Sequence, residues 1–159
     1  MASKYIYLGQ NWETEELNSF GIGSVYLAGP RNPHAKSWRL DLINKIESTG
    51  LSLTYLIPET KGQLDATGRC ELSIEERRWW QQISIACTTA IIFWFPDNTY
   101  DSQSLVEFGC WCKSERIFLG GDPSEDLNYL DWILHNEQKI HAVNTLDQLT
   151  ERFVHWVMA

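Results

Sequence analysis

The chain has 159 residues, 43% of them hydrophobic, which is room for one compact domain with its own core. A net charge of −8 and a pI of about 4.9, with no basic patch, argue against a nucleic-acid polymer as partner. No apolar run approaches the roughly 20 residues that cross a bilayer, and the N-terminus lacks a signal-peptide order. A soluble, cytoplasmic protein with no membrane partner is expected. The four cysteines, Cys70, Cys87, Cys110 and Cys112, have no framework spacing and read as reduced thiols. Cys110 and Cys112 would diverge on a helix and the histidines are scattered, so no metal site is expected.

In chain order, Tyr5 to Gly9 is a short apolar stretch that reads as an extra edge strand or extension, within an N-terminal segment of residues 1–23. The domain proper, residues 24–159, starts with a core strand, Ser24 to Ala28, stopped by Gly29-Pro30. Helical spacing follows from about Pro33, with Trp38, Leu42 and Ile46 at four-residue intervals and Gly50 as C-cap. Leu51 to Ile57 is a second strand. Glu59 to Glu71 is polar and aperiodic and reads as a mobile loop, of the kind that serves as a lid. Ser73 and Glu76 form a capping box for a helix through Trp79, Trp80 and Ile83.

Thr89 to Phe95 reads as a strand buried on both faces, as in the middle of a parallel sheet. A helix carrying Glu107 on its first turn runs to about Glu115. It is followed by a strand at Ile117 to Leu119, a helix from Asp126 to His135, a strand at Lys139 to Val143, and a last helix from Asn144 or Thr145 to about Val157. Strands alternating with helices imply an α/β, doubly wound parallel sheet with helices on both faces. The simplest arrangement is flavodoxin-like, order 2-1-3-4-5. Its switch point lies between the strands ending at Ala28 and Phe95, so Gly29-Pro30-Arg31 and Pro96 to Asp101 should line the ligand crevice.

A carboxylate beside such strand ends can act as nucleophile or general base. Glu107 has no Cys, Ser-His or metal partner in sequence reach, which suits attack at an electrophilic carbon such as a sugar C1′. Asp101, six residues earlier, would protonate the leaving group, since paired carboxylates in separate roles are the usual design for breaking a glycosidic bond. The structural alternatives stand beside these roles. Ser104-x-x-Glu107 is itself a capping-box pattern, Asp101 suits a turn, and Trp79, Trp80 and Trp94 suit a core as well as a base-stacking platform. Arg31, His34 and Lys36 can bind a 5′-phosphate or form a solvated first turn.

Val25-Tyr26-Leu27-Ala28-Gly29-Pro30, Ser37-Trp38-Arg39, Ile57-Pro58-Glu59, Phe93-Trp94-Phe95-Pro96 and Leu105-Val106-Glu107-Phe108-Gly109 occur in this order. Together they resemble the nucleoside 2-deoxyribosyltransferase-like family over roughly residues 24 to 145. The resemblance implies a flavodoxin-like fold in which Glu107 attacks the anomeric carbon of a nucleoside. Asp101 would be the accompanying acid, and Tyr26, rather than Tyr7, the tyrosine near the end of the first strand. Ala28, Gly29, Pro30, Arg31, Trp80, Gln81, Pro96, Asp97, Asn98 and Ser104 would line the substrate site.

No cofactor is implied. Partners would be a nucleoside or nucleotide and a nucleobase, with subunits of a homo-oligomer completing each other's sites through apolar faces such as Trp111, Trp132 and Trp156. The chain departs from close relatives in having Trp80-Gln81 for Trp-Glu and Thr88-Thr89 for Ala-Asp, and only Asn128 offers itself for the asparagine lent by a neighbour. Gln81 can read a base edge but cannot shuttle a proton. Cleavage or transfer at an N-glycosidic bond is the leading expectation. A non-catalytic nucleoside sensor, or a glycohydrolase for a larger ribosyl donor such as NAD, is the alternative.

Overall fold

A computed structural model describes residues 2–17, 23–31, 35–64, 70–138 and 141–159. Its centre is a five-stranded parallel sheet of order β1-β3-β2-β4-β5, the doubly wound α/β fold expected. The strands are β1 (Lys4–Tyr7), β2 (Ser24–Ala28), β3 (Thr54–Ile57), β4 (Ala90–Phe95) and β5 (Ile117–Gly121). Every residue of β2, β3, β4 and β5 is buried, which is why these segments read as continuous apolar runs rather than alternating ones. The order reverses between β2 and β4, the topological switch point of the sheet.

One detail decides between two expectations and another differs from expectation. The Tyr5 stretch pairs along its whole length with β3, Lys4 opposite Thr54 through Tyr7 opposite Ile57, and so supplies an edge of the sheet. Residues 139–140 of the expected last strand lie outside the described residues, and the rest of it contributes a single parallel bridge, Val143 to Gly120. The helices are α1 (Thr14–Leu17), α2 (Trp38–Glu47), α3 (Lys61–Leu64), α4 (Ile74–Cys87), α5 (Ser102–Trp111), α6 (Glu125–Gln138) and α7 (Leu146–Met158). Among the described residues no helix is long and apolar enough to cross a membrane.

By internal contacts the chain divides into two units, Met1–Leu27 with Arg31–Ile91, and Ala28–Pro30 with Ile92–Ala159. In the first, α2 begins at Trp38 rather than near Pro33, because Ser37 is its N-cap and its hydroxyl accepts from the Arg39 N–H at 3.2 Å. Ser73 caps α4 as the sequence predicts, accepting from the Glu76 N–H at 3.1 Å. In the second unit, Phe108 of α5 meets Phe93 of β4 edge-on at 5.5 Å. Phe153 of α7 does the same with Phe118 of β5 at 5.3 Å, so both helices are anchored by aromatic burial.

Candidate active site

The second unit carries the segment from Phe93 to Gly109. After β4 the chain enters a 3₁₀ turn, Pro96–Asn98, in which Asp97 (φ 50°) and Asn98 (φ 54°) are successively left-handed. Asp and Asn are the non-glycine residues that best tolerate this conformation, and both side chains here are exposed. Tyr100 then folds back on Phe95, the rings stacked at 4.7 Å, with its hydroxyl 2.9 Å from Ser124 Oγ. Burial raises the pKa of that phenol, so it remains a neutral hydrogen-bonding group at physiological pH and clasps the loop.

The helix that follows is capped by Asp101, whose Oδ1 accepts the Ser104 N–H at 2.8 Å. The expected capping box from Ser104 to Glu107 is therefore not the device that starts this helix. With the cap at Asp101, Glu107 falls on the second turn of α5, not the first, and the role of satisfying the helix start belongs to another residue. Ser104, Phe108 and Cys112 form the buried stripe of α5. Glu107 lies at the flank of that stripe, half-buried, with its Oε2 buried.

The same unit contains Ala28, Gly29 and Pro30 at the end of β2. Gly29 has φ +118°, a conformation that side-chain-bearing residues avoid, so the sharp exit from the strand requires glycine there. Ala28 and Pro30 are buried.

The first unit carries Tyr26, Arg31, Trp80 and Gln81. Tyr26 is buried, hydroxyl included, and its ring lies 6.4 Å from that of Trp80. Trp80 and Trp94 are buried, the core placement weighed above, whereas Trp79 is 67% exposed. The Oε1 of Gln81 accepts from Arg78 Nη1 at 3.2 Å, a contact within α4.

Arg31 is neither a solvated first-turn residue nor an unengaged cation. Its Nε lies 3.1 Å from Oε1 of Glu59, and its Nη2 donates to the Gln63 carbonyl at 3.4 Å. His34 lies outside the described residues and Lys36 is exposed. Glu59 is the hub of this group: Arg39 Nη1 is 3.0 Å from its Oε2, and the Ser37 hydroxyl donates to the same oxygen. Arg39 also donates through Nε to the Leu27 carbonyl at 2.8 Å, and its guanidinium lies 4.6 Å over the Trp38 ring. Both Glu59 and Arg39 are almost wholly buried.

This cluster was missed as a unit. It joins two motifs, Ser37-Trp38-Arg39 and Ile57-Pro58-Glu59, into one ion group. A signal for it does exist in the sequence. Arg39 falls at the helical spacing of Leu42, Ile43 and Ile46, so it sits in the apolar stripe of α2 and needs a buried partner. The first residue of the expected mobile loop, Glu59, is that partner. Past it the chain forms the short α3, and residues 65–69 are outside the described set.

A doubly wound parallel sheet, with a half-buried glutamate on the helix that follows β4, puts the chain among the doubly wound α/β proteins. Residues 22–124 match the family described as nucleoside 2-deoxyribosyltransferase like, and the chain belongs to that family. No curated protein matches the chain. The matched span holds Tyr26, Gly29, Glu59, Asp101 and Glu107, and leaves residues 1–21, including β1, outside it.

Proposed function

We propose that the protein cleaves or transfers at the N-glycosidic bond of a deoxynucleoside or related nucleotide by double displacement. The observation that carries this reading is Glu107, half-buried on α5 in a chain of this family and relieved of helix capping by Asp101. Its carboxylate attacks C1′, and the electron pair of the breaking bond passes to the base nitrogen. Asp101 protonates that nitrogen. Its Oδ1 is engaged with the Ser104 N–H, so Oδ2 is the oxygen that carries the proton. Water or a second base then attacks C1′ of the glycosyl ester, and Asp101 takes up the proton released.

In this reading the Gly29-Pro30 exit and the left-handed Asp97-Asn98 turn, which belong to the same unit as Glu107, receive the sugar. The engagement of Arg31 by Glu59 favours a nucleoside over a 5′-phosphorylated substrate. The test is incubation with a panel of deoxynucleosides, with and without an acceptor base, and chromatography of the bases. Release or exchange that disappears in Glu107→Ala is expected; equal turnover by that variant removes the proposed nucleophile.

A second reading, a nucleoside sensor without turnover, is favoured by one observation: Gln81, where the family resemblance implies a glutamate, has its oxygen held by Arg78. Saturable nucleoside binding in calorimetry, with no product in any of the incubations, would decide for it.

A further inference from the structure

A groove of about 360 Å³ lies within the first unit, between residues 9–12 and the first half of α4. Its walls include Trp12, Trp79 and Trp80, and its polar lining is Gln10, Asn11 and Glu76. Residues 9–12 precede the span matched by the family.

The groove is built rather than incidental. Trp80 Nε1 donates to the Gln10 carbonyl at 2.9 Å and Trp12 Nε1 donates to Ser84 Oγ at 3.2 Å. Both indole N–H groups are thus committed to the protein, and what the two rings can offer a ligand is their apolar faces. Gly9 has φ +85°, and a Cβ there would lie 2.5 Å from Leu72 Cδ1, so the segment turns and packs only as glycine. The Gln10 Oε1 accepts from the Tyr7 N–H at 3.0 Å, which leaves its NH₂ as the donor available to a ligand. Glu76 is the ionisable residue of the lining and can only accept when charged.

Flat indole faces, one amide donor, one carboxylate acceptor and a carboxamide that does both suit a planar nitrogen heterocycle bearing an amino group. The volume lies within the range of small-molecule sites. The Glu76 carboxylate and the net charge of −8 disfavour an anionic ligand.

We propose that this groove binds an amino-bearing nucleobase, stacked on Trp79 and hydrogen-bonded to Glu76 through its amino group. The choice of a nucleobase rests on the function proposed above. Titrating the full chain with free adenine and with hypoxanthine in a calorimeter tests it without requiring turnover. Saturable adenine binding is expected, tighter than hypoxanthine by several-fold, with about a tenfold loss in Trp79→Ala, the usual size of a lost base–aromatic stack. Glu76→Gln should erase the preference for adenine and keep the Ser73 cap.

Trp79 is 67% exposed, so its truncation spares the core, and far-UV circular dichroism checks that it does. Unchanged adenine affinity in a folded Trp79→Ala, equal binding of the two bases by the wild type, or displacement of adenine by tetramethylammonium would each overturn the proposal. The last would mark an aromatic cage for a quaternary ammonium instead. Adenine binding that behaves as expected in a protein without glycosyl turnover would sink the catalytic reading alone.

Discussion

Replacing Glu59 by Gln should destabilise the protein far more than removing its more exposed partner. Glu59 is 1% exposed and Arg39 2%, with 3.0 Å between Arg39 Nη1 and Glu59 Oε2. Loss of the carboxylate leaves a buried guanidinium whose remaining support includes the Leu27 carbonyl and the Trp38 ring. Breaking a buried pair from one side costs about 3–5 kcal/mol, and those remaining contacts argue for the lower end, about 3 kcal/mol. At about 2–4 °C per kcal/mol for a chain of this size, Tm should fall by roughly 6–12 °C.

Arg31, with 26% of its side chain exposed, pairs with the same carboxylate at 3.1 Å under solvent screening. Arg31→Ala should therefore cost about 1 kcal/mol or less. Thermal and urea melts followed by circular dichroism measure both. The double variant Arg39→Met with Glu59→Gln should lose less than the sum of its single changes, because it removes both halves of one interaction. An unchanged Tm in Glu59→Gln, or equal losses from Glu59→Gln and Arg31→Ala, would refute the assignment of Glu59 and Arg39 as the buried pair that holds these motifs together.

Asp101 has two separable roles: Asp101→Asn keeps a side chain able to cap and should leave the melt nearly unchanged while base release falls, whereas Asp101→Ala should also lose about 1 kcal/mol of stability. Full turnover by Asp101→Asn would reduce the residue to a cap. A further prediction concerns alkaline pH. Burial raises the pKa of Tyr55 strongly, and burial, with Glu47 as the next cause, pushes Tyr5 up to about 12. Native-state pKa values above the unfolded value of about 10 mean that the unfolded chain ionises first, so this contribution is intact below pH 10 and is lost as pH climbs through 10 to beyond 12. The urea midpoint should drop over that window, and Tyr55→Phe should blunt the drop; an identical decline in the variant would rule out Tyr55 as its source.

Where local chemistry decides, the chain was legible. The runs Val25 to Ala28 and Ala90 to Phe95 are predominantly apolar because both faces of these strands are covered, and the Ser73 cap follows from one hydroxyl and one nearby N–H. The start of α5 was less so. Asp101 and Ser104 each precede a residue three positions on that could complete a cap, and a linear pattern cannot say which hydroxyl or carboxylate meets the free N–H. Helix α2 begins later than its periodicity suggests for a related reason: the Ser37 hydroxyl both caps the helix and donates to Glu59, which lies on another segment.

By itself the sequence determined the doubly wound fold, the family and the candidate Glu107, because hydrophobic runs, turn residues and ordered motifs are properties of adjacent positions. Only the tertiary structure decided that Asp101 caps α5 and that Arg31 and Arg39 share the carboxylate of Glu59. It also decided that Trp79 stands exposed while Trp80 is buried. These are outcomes of which charges and N–H groups lose water together, and that depends on residues far apart in the chain.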